Sequence, residues 1–273
     1  MTDLTRSPLG HATTYADAYD ASLLYPVERA PQRAEIGVGA ELPFHGIDLW
    51  TAYELSWLGP DGKPEVAIAT LSVPAESPRL VESKSVKLYL TAFNQTRFDS
   101  ASDVAATIAR DMSNASGSDV DVALAPPDAF ASLPHTELAG VSLDTLSVAF
   151  DRYEPEPKAL AAAGPAVDEA LVTRLFRSVC PVTGHPDYAS VRIAYRGPAI
   201  DRAGLLRYLV SFRRHPGFHE HCIERIYVDI YERCRPEALS VYARFTRRGG
   251  IDINPYRSSV AGSLPVNART ARQ

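Results

Sequence analysis

Cysteine is scarce in these 273 residues: only Cys180, Cys222 and Cys234 occur. So odd and sparse a set argues against a disulfide framework and suits a reducing compartment, which leaves each one a free thiol. Long apolar runs are missing as well. Stretches such as 159–167 and 122–125 fall far short of the roughly 20 residues that cross a bilayer, and the opening Met1-Thr2-Asp3-Leu4-Thr5-Arg6 has no signal-like apolar core. The expectation is a cytoplasmic chain with no membrane partner. Two nucleotide-binding signatures are absent. No G-x-G-x-x-G follows a strand and no G-x-x-x-x-G-K-[ST] occurs, so neither a Rossmann nor a P-loop mode is indicated. Nor is there a general basic excess. With 28 Lys and Arg against 33 Asp and Glu the net charge is −5, which argues against a direct nucleic-acid partner. Arg233, Arg235, Arg244, Arg247, Arg248 and Arg257 give the C-terminal region a local basic bias, which solvated arginines on strand and helix faces would also explain.

What is present is an ordinary globular composition, 45% hydrophobic and 22% charged, in a chain long enough for one or two domains. Extended segments at 47–58 and 66–73 flank Gly59-Pro60-Asp61-Gly62-Lys63-Pro64 and predict a β-hairpin. Val86, Tyr89, Leu90 and Phe93 recur at helical spacing. So do Val104, Ile108 and Met112, after a capping stretch at Asp99-Ser100-Ala101-Ser102. Strands are predicted at 120–125 and 143–150. The second half repeats much of that order, with a strand at 190–195, a helix marked by Leu205, Tyr208, Leu209 and Phe212, a longer helical stripe from Ile223 to Cys234, and an alternating strand at 241–246. Tyr89-Leu90-x-x-Phe93 followed by Phe98 is echoed by Tyr208-Leu209-x-x-Phe212 followed by Phe218, so the chain reads as duplicated. A linker is predicted at Glu154-Pro155-Glu156-Pro157-Lys158 and the Ala-rich run through Gly164-Pro165, since proline blocks helix continuation and sheet pairing. The division expected is 1–153 and 154–273.

Chemistry concentrates in Ser178-Val179-Cys180-Pro181-Val182-Thr183-Gly184-His185-Pro186-Asp187-Tyr188. Taken alone, Cys180 can be a buried small hydrophobe, a metal ligand or a nucleophile; its Pro/Gly-punctuated loop lacks the apolar periodicity of a core element. Asp187 can accept and return the thiol's proton, or merely form an Asx-turn into the next strand. His219-Glu220-His221-Cys222 invites a metal reading, but His219 and His221 stand two apart on a helix start and would not face one ion. No metal is therefore expected. Glu220 can complement a helix N-terminal dipole, or accept paired hydrogen bonds from a guanine-like edge. Glu82 stands at the corresponding place in the first half. Glu82-Ser83-Lys84-Ser85-Val86-Lys87 opens a helix with hydroxyls, two lysines and N–H groups taken as free, an arrangement that suits an anion. Lys84 and Lys87 can equally be the wet face of an amphipathic helix.

Together Glu82-Ser83-Lys84-Ser85-x-Lys87-x-Tyr89, Cys180-Pro181-Val182-Thr183 with Asp187, His219-Glu220, and Arg247-Arg248-Gly249-Gly250-Ile251-Asp252-Ile253-Asn254-Pro255 resemble the NADPH-dependent 7-cyano-7-deazaguanine reductases of the QueF type, in their long two-module form. The resemblance runs from about residue 25 to 257. It implies an α+β class, with tandem tunnelling-fold (T-fold) modules that are each an antiparallel sheet carrying two helices. It also implies a homodimer and a place in making the tRNA base queuosine. Carried onto matching positions, Cys180 is the nucleophile that forms a thioimide with the nitrile carbon, Asp187 the general acid/base and His219 an aid to proton delivery. Val81, Glu82, Ser83, His219 and Glu220 then hold the deazaguanine, and Ser83, Lys84, Arg248 and Gly249 hold NADPH. Val179 stands where the family generally has Asn, and His185-Pro186-Asp187-Tyr188 replaces its commoner Gln-Pro-Asp-Trp. Two other readings are a metal-dependent T-fold enzyme acting on pterins, which bound zinc would reveal, and a purine-binding module without chemistry, which would bind the nitrile without consuming NADPH.

Overall fold

A computed structural model describes residues 18–273; the opening six-residue stretch read above lies outside them. In chain order the strands are β1 (Pro26–Glu28), β2 (His45–Leu58), β3 (Pro64–Pro74), β4 (Arg79–Val81), β5 (Asp121–Ala125), β6 (Val141–Ser142), β7 (Ala162–Val179), β8 (Pro186–Ile200), β9 (Ala238–Phe245) and β10 (Ile251–Ser258). The helices are α1 (Ala30–Glu35), α2 (Ser83–Thr91), α3 (Ala101–Ser116), α4 (Arg202–Ser211) and α5 (His219–Cys234). The class is α+β with predominantly antiparallel pairing. No helix among the described residues is long and apolar enough to cross a membrane.

Contacts divide the chain into two compact units that interleave in sequence. Of the described residues, the first comprises 18–31, Asp48–Leu133 and Arg247–Ile253; the second comprises Gln32–Ile47, Pro134–Thr246 and Asn254–Gln273. Arg247–Ile253 groups with the first unit and Gln32–Ile47 with the second.

In the first unit β2 and β3 form the expected hairpin, and β5 lies antiparallel to β3 with Ala69 opposite Leu124. Period-two alternation along β3 turns Ala67, Ala69, Leu71 and Val73 inward. Against them pack Val86, Tyr89 and Phe93 around α2, and Val104, Ile108 and Met112 of α3, each 0–1% exposed. Burial of such side chains stabilises by roughly 1.5–3 kcal/mol apiece. The Ser100 hydroxyl accepts from the Asp103 amide at 3.2 Å and starts α3; Gly117, at φ 79°, ends it in a left-handed turn that a Cβ would strain.

The second unit carries β6 to β9 and the later part of β10. β7, β8 and β9 are successive antiparallel neighbours, with Val172 opposite Arg192 and Ile193 opposite Val241. Leu205, Tyr208, Leu209, Phe212, Ile223, Ile226, Tyr227 and Ile230 bury the helix faces as their spacing predicts. The duplication has a side-chain counterpart. The Tyr89 hydroxyl donates to buried Asp111 at 2.7 Å in the first unit, and Tyr208 donates to Asp229 at 2.5 Å in the second.

Two predicted elements are corrected. The strand expected at 143–150 does not form; pairing stops at Val141–Ser142, parallel to Leu171–Val172. Asp144 diverts the chain, its carboxylate accepting from Thr173 Oγ1 at 2.6 Å and from the Arg174 amide at 3.1 Å. The Gly164-Pro165 part of the expected linker lies instead inside β7. Gly164 takes φ 88° and the register shifts between Ala162 and Ala166, so the proline sits at an irregularity where no ladder bond is required of it.

A buried charge cluster ties α1, α5 and β10 together within the second unit. Glu224 receives Arg33 Nη2 at 2.7 Å and Nε at 3.0 Å, and Arg257 Nη2 at 2.9 Å. Both guanidinium groups also face the Phe44 ring, at 5.7 and 5.5 Å. Deleting the carboxylate strands two buried cations, so Glu224→Ala is expected to destabilise by about 3–5 kcal/mol in urea unfolding. An unchanged midpoint would contradict this.

Candidate active site

Cys180 lies at the mouth of the β7–β8 hairpin, one residue beyond the last pair, Val179 opposite Pro186. Its amide donates to the His185 carbonyl at 2.8 Å and its carbonyl accepts from the Gly184 amide at 3.0 Å. Gly184 is at φ 67°, which closes the turn and holds the thiol side chain at 7% exposure. Asp187 is opposite Ser178, so these two project from one face of the hairpin, and both are buried.

A second strand-like contact brings α5 to this mouth. The Val179 amide donates to the His215 carbonyl at 3.0 Å, and its carbonyl accepts from the Gly217 amide at 3.1 Å. The first turn of α5 thereby reaches the hairpin. His219 Nε2 lies 3.5 Å from Asp187 Oδ2. Its ring stacks flat on Phe245, centroids 3.8 Å apart and planes within 2°. His219 Nδ1 is buried without a hydrogen-bond partner among the described residues. Glu220, 2% exposed, occupies the same turn.

Two other thiols are perturbed by burial. Burial pushes Cys222 up to about 12; the Ser178 hydroxyl opposes the rise, and the carboxylates of Asp187 and Glu220 add to it. Burial likewise lifts Cys234 to about 11, against the effect of Arg233. Neither is a ready nucleophile near neutral pH. The His221 ring is 6.5 Å from that of His215.

His215 gives this neighbourhood a pH signature. Burial, helped by Arg225 and His221, lowers its pKa to about 4. An unfolded imidazole titrates near about 6.5. Stability is therefore complete above that pH and is lost as pH falls towards 4, because the unfolded chain takes the proton first. His221 is lowered in the same direction, chiefly by burial. Urea unfolding at pH 5 against pH 7.5 is expected to show a loss on the order of 1–2 kcal/mol, partial exposure weakening the effect, and His215→Gln should shrink that gap. An equal gap in the variant would remove His215 as its source.

The first unit holds the other candidates. Val81 ends β4 and Glu82 is the N-cap of α2, fully buried. Its carboxylate accepts from the Lys84 amide at 2.7 Å and the Ser85 amide at 2.8 Å. Those N–H groups, expected to be free for an anion, are thus already met by a carboxylate, and this helix terminus is not a bare anion site. The same helix start carries Lys84 and Lys87. The Arg247–Ile251 segment folds back with the Arg248 amide donating to the Ile251 carbonyl at 2.8 Å. Gly249, at φ 60°, lies so close to Lys87 that an added Cβ would come within 3.2 Å of Lys87 Cδ. Lys87 is therefore more than a wet helix position: the fold brings it to Gly249 from far away in sequence.

The structure thus gathers Cys180, Asp187, His219 and Glu220 in the second unit, and Val81, Glu82, Ser83, Lys84, Arg248 and Gly249 in the first. Among the described residues, no three His, Cys, Asp or Glu side chains gather as a metal-binding group. Sequence reasoning missed Phe245, whose ring orients His219; one aromatic among alternating strand residues carries no signal of that contact.

Residues 15–124 match the family described as nitrile reductase, 7-cyano-7-deazaguanine-reductase N-term, and residues 186–262 match the QueF-like protein family. The chain is 57% identical over 269 residues to the NADPH-dependent 7-cyano-7-deazaguanine reductase of Burkholderia vietnamiensis, covering 98% of both chains. Its identity to the like-named protein of Burkholderia multivorans is 57%, and to that of Burkholderia pseudomallei 58%, with the same coverage.

Proposed function

Because this chain belongs to the NADPH-dependent 7-cyano-7-deazaguanine reductase family, we propose that it reduces the nitrile of 7-cyano-7-deazaguanine to the primary amine of 7-aminomethyl-7-deazaguanine, with two NADPH per nitrile, on the way to the tRNA base queuosine. The observation that carries the chemistry is the buried Cys180 at a hairpin mouth shared with Asp187, itself 3.5 Å from His219.

A nitrile carbon is a poor acceptor of hydride until its triple bond is activated. Asp187 takes the thiol proton as Cys180 sulfur adds to that carbon and gives it to the nitrogen, so C≡N becomes the neutral thioimide C(=N–H)–S. His219 faces Asp187 and returns its proton from solvent. NADPH, when bound, supplies hydride to the same carbon. Loss of Cys180 as thiolate then leaves an imine, and exclusion of water around the buried Cys180 would keep it from hydrolysis until it too is reduced. Glu220 accepts the N–H edge of the deazaguanine; Val81, Glu82 and Ser83 are proposed for the deazaguanine on the family resemblance alone.

The first-unit residues fit the cofactor's phosphates. The donor set of Ser83, Lys84, Lys87 and Arg248 is cationic and hydroxylic, and a Cβ at Gly249 would both strain its φ of 60° and press on the Lys87 side chain. Gly249→Ala is expected to raise KM for NADPH about tenfold while Cys180 still forms its adduct with the nitrile. Equal KM values would remove Gly249 from cofactor binding. The remaining proposals are a cytoplasmic homodimer without a direct nucleic-acid partner, and tandem T-fold modules at 1–153 and 154–273, supported by the matching Tyr–Asp pairs. The whole reading is tested by recording NADPH oxidation with the purified nitrile: two equivalents consumed per amine formed are expected, and consumption of none would refute it.

A further inference from the structure

Gln273, 3% exposed, is far from Cys180 in sequence, yet its side-chain amide is fully engaged at the end of β9. Oε1 accepts from Arg244 Nε at 2.8 Å and from the Thr270 amide at 3.1 Å. Nε2 donates to the Phe245 carbonyl at 2.8 Å and to Asn254 Oδ1 at 2.8 Å. Asn254 Oδ1 in turn accepts from the Phe245 amide at 3.1 Å. Both main-chain polar groups of Phe245 are therefore held by side-chain amides, and every group in this clasp is buried.

Phe245 is the residue on which His219 lies flat, at 3.8 Å. Phe176 meets the Phe245 ring edge-on at 5.9 Å and leaves it little room to tilt. His219 has few other restraints. Its Nδ1 has no hydrogen-bond partner among the described residues, and Nε2 faces Asp187 at 3.5 Å. An imidazole without a bond at Nδ1 is oriented by what it stacks on, so the position of the Phe245 backbone fixes how Nε2 presents to Asp187. We propose that Gln273, acting through Asn254 and Phe245, is a positioning residue that aims His219 at Asp187 for proton return during nitrile reduction. The inference rests on the reading of function given above and extends it to residues that touch neither substrate nor cofactor.

The substitution that isolates this role is Gln273→Glu. It retains an acceptor for Arg244 and Thr270 but loses the donor to Phe245 and places an anion against that carbonyl. NADPH oxidation with 7-cyano-7-deazaguanine is to be measured for the wild type, Gln273→Glu, His219→Ala and the double variant. Gln273→Glu is expected to lower kcat about tenfold with KM for the nitrile changed less than about twofold. In the His219→Ala background the same change should cost less than about twofold, because the residue it acts through is gone. Should Gln273→Glu fail to fold, Gln273→Met, which preserves length and apolar packing, takes its place in the cycle. Wild-type kcat in the substituted chain, or equal losses in both backgrounds, overturns the inference alone. A wild-type chain that oxidises no NADPH with the nitrile overturns the reading of function, and this inference with it.

Discussion

Cys180→Ala is expected to reduce turnover of the nitrile by about 10⁴-fold or more, to the level of the uncatalysed background. Without a sulfur at the hairpin mouth the nitrile keeps its triple bond, and hydride has no activated carbon to reach. The remaining thiols do not substitute. Cys222 is held near 12 and Cys234 near 11 by burial, so each stays protonated and enclosed. Folding should be nearly unaffected, since one small side chain at the rim of the core is removed. Steady-state NADPH oxidation checks the effect, with circular dichroism as the control for folding. A residual rate within tenfold of wild type would move the nucleophile elsewhere.

Asp187→Asn has the second-largest expected effect. The amide has nearly the same shape and can still contact His219, but it has no carboxylic proton to give or carboxylate to receive one. General acid–base catalysis by a positioned group contributes about 10²–10⁴-fold, and a loss in kcat of that size is expected. Binding of the deazaguanine should change by less than about threefold, because its ring is held by other residues. Titration calorimetry alongside turnover separates the two. A variant that binds tenfold more weakly but turns over normally when saturated would make Asp187 a binding residue.

The parts of this site legible in sequence are the local ones. Cys180 and Asp187 share one short hairpin turn, and the Pro and Gly between them announced it. Val104, Ile108 and Met112 likewise announced α3, because their spacing is that of one buried helix face. Features made by distant pairing were hidden. Phe245 meets His219 only because β9 lies beside β8 and α5 docks at the hairpin mouth. Strand β7 was missed altogether; Gly164 and Pro165 near its start look like a linker, and the pairing tolerates them through a register shift. The apolar alternation at 143–150 misled in the opposite sense, since Asp144 binds Thr173 and Arg174 and ends the strand that hydropathy alone would continue. The N-cap role of Glu82 shows the same limit. A carboxylate ahead of a helix can cap it or bind a ligand, and only the 2.7 and 2.8 Å bonds to Lys84 and Ser85 show the cap in place.

The most direct test uses no cofactor. Incubating the chain with 7-cyano-7-deazaguanine and recording its intact mass should show a gain of one whole nitrile per chain, located on the peptide containing Cys180 and absent from Cys180→Ala. An unchanged mass, or an adduct that persists in Cys180→Ala, would contradict covalent activation of the nitrile by this thiol.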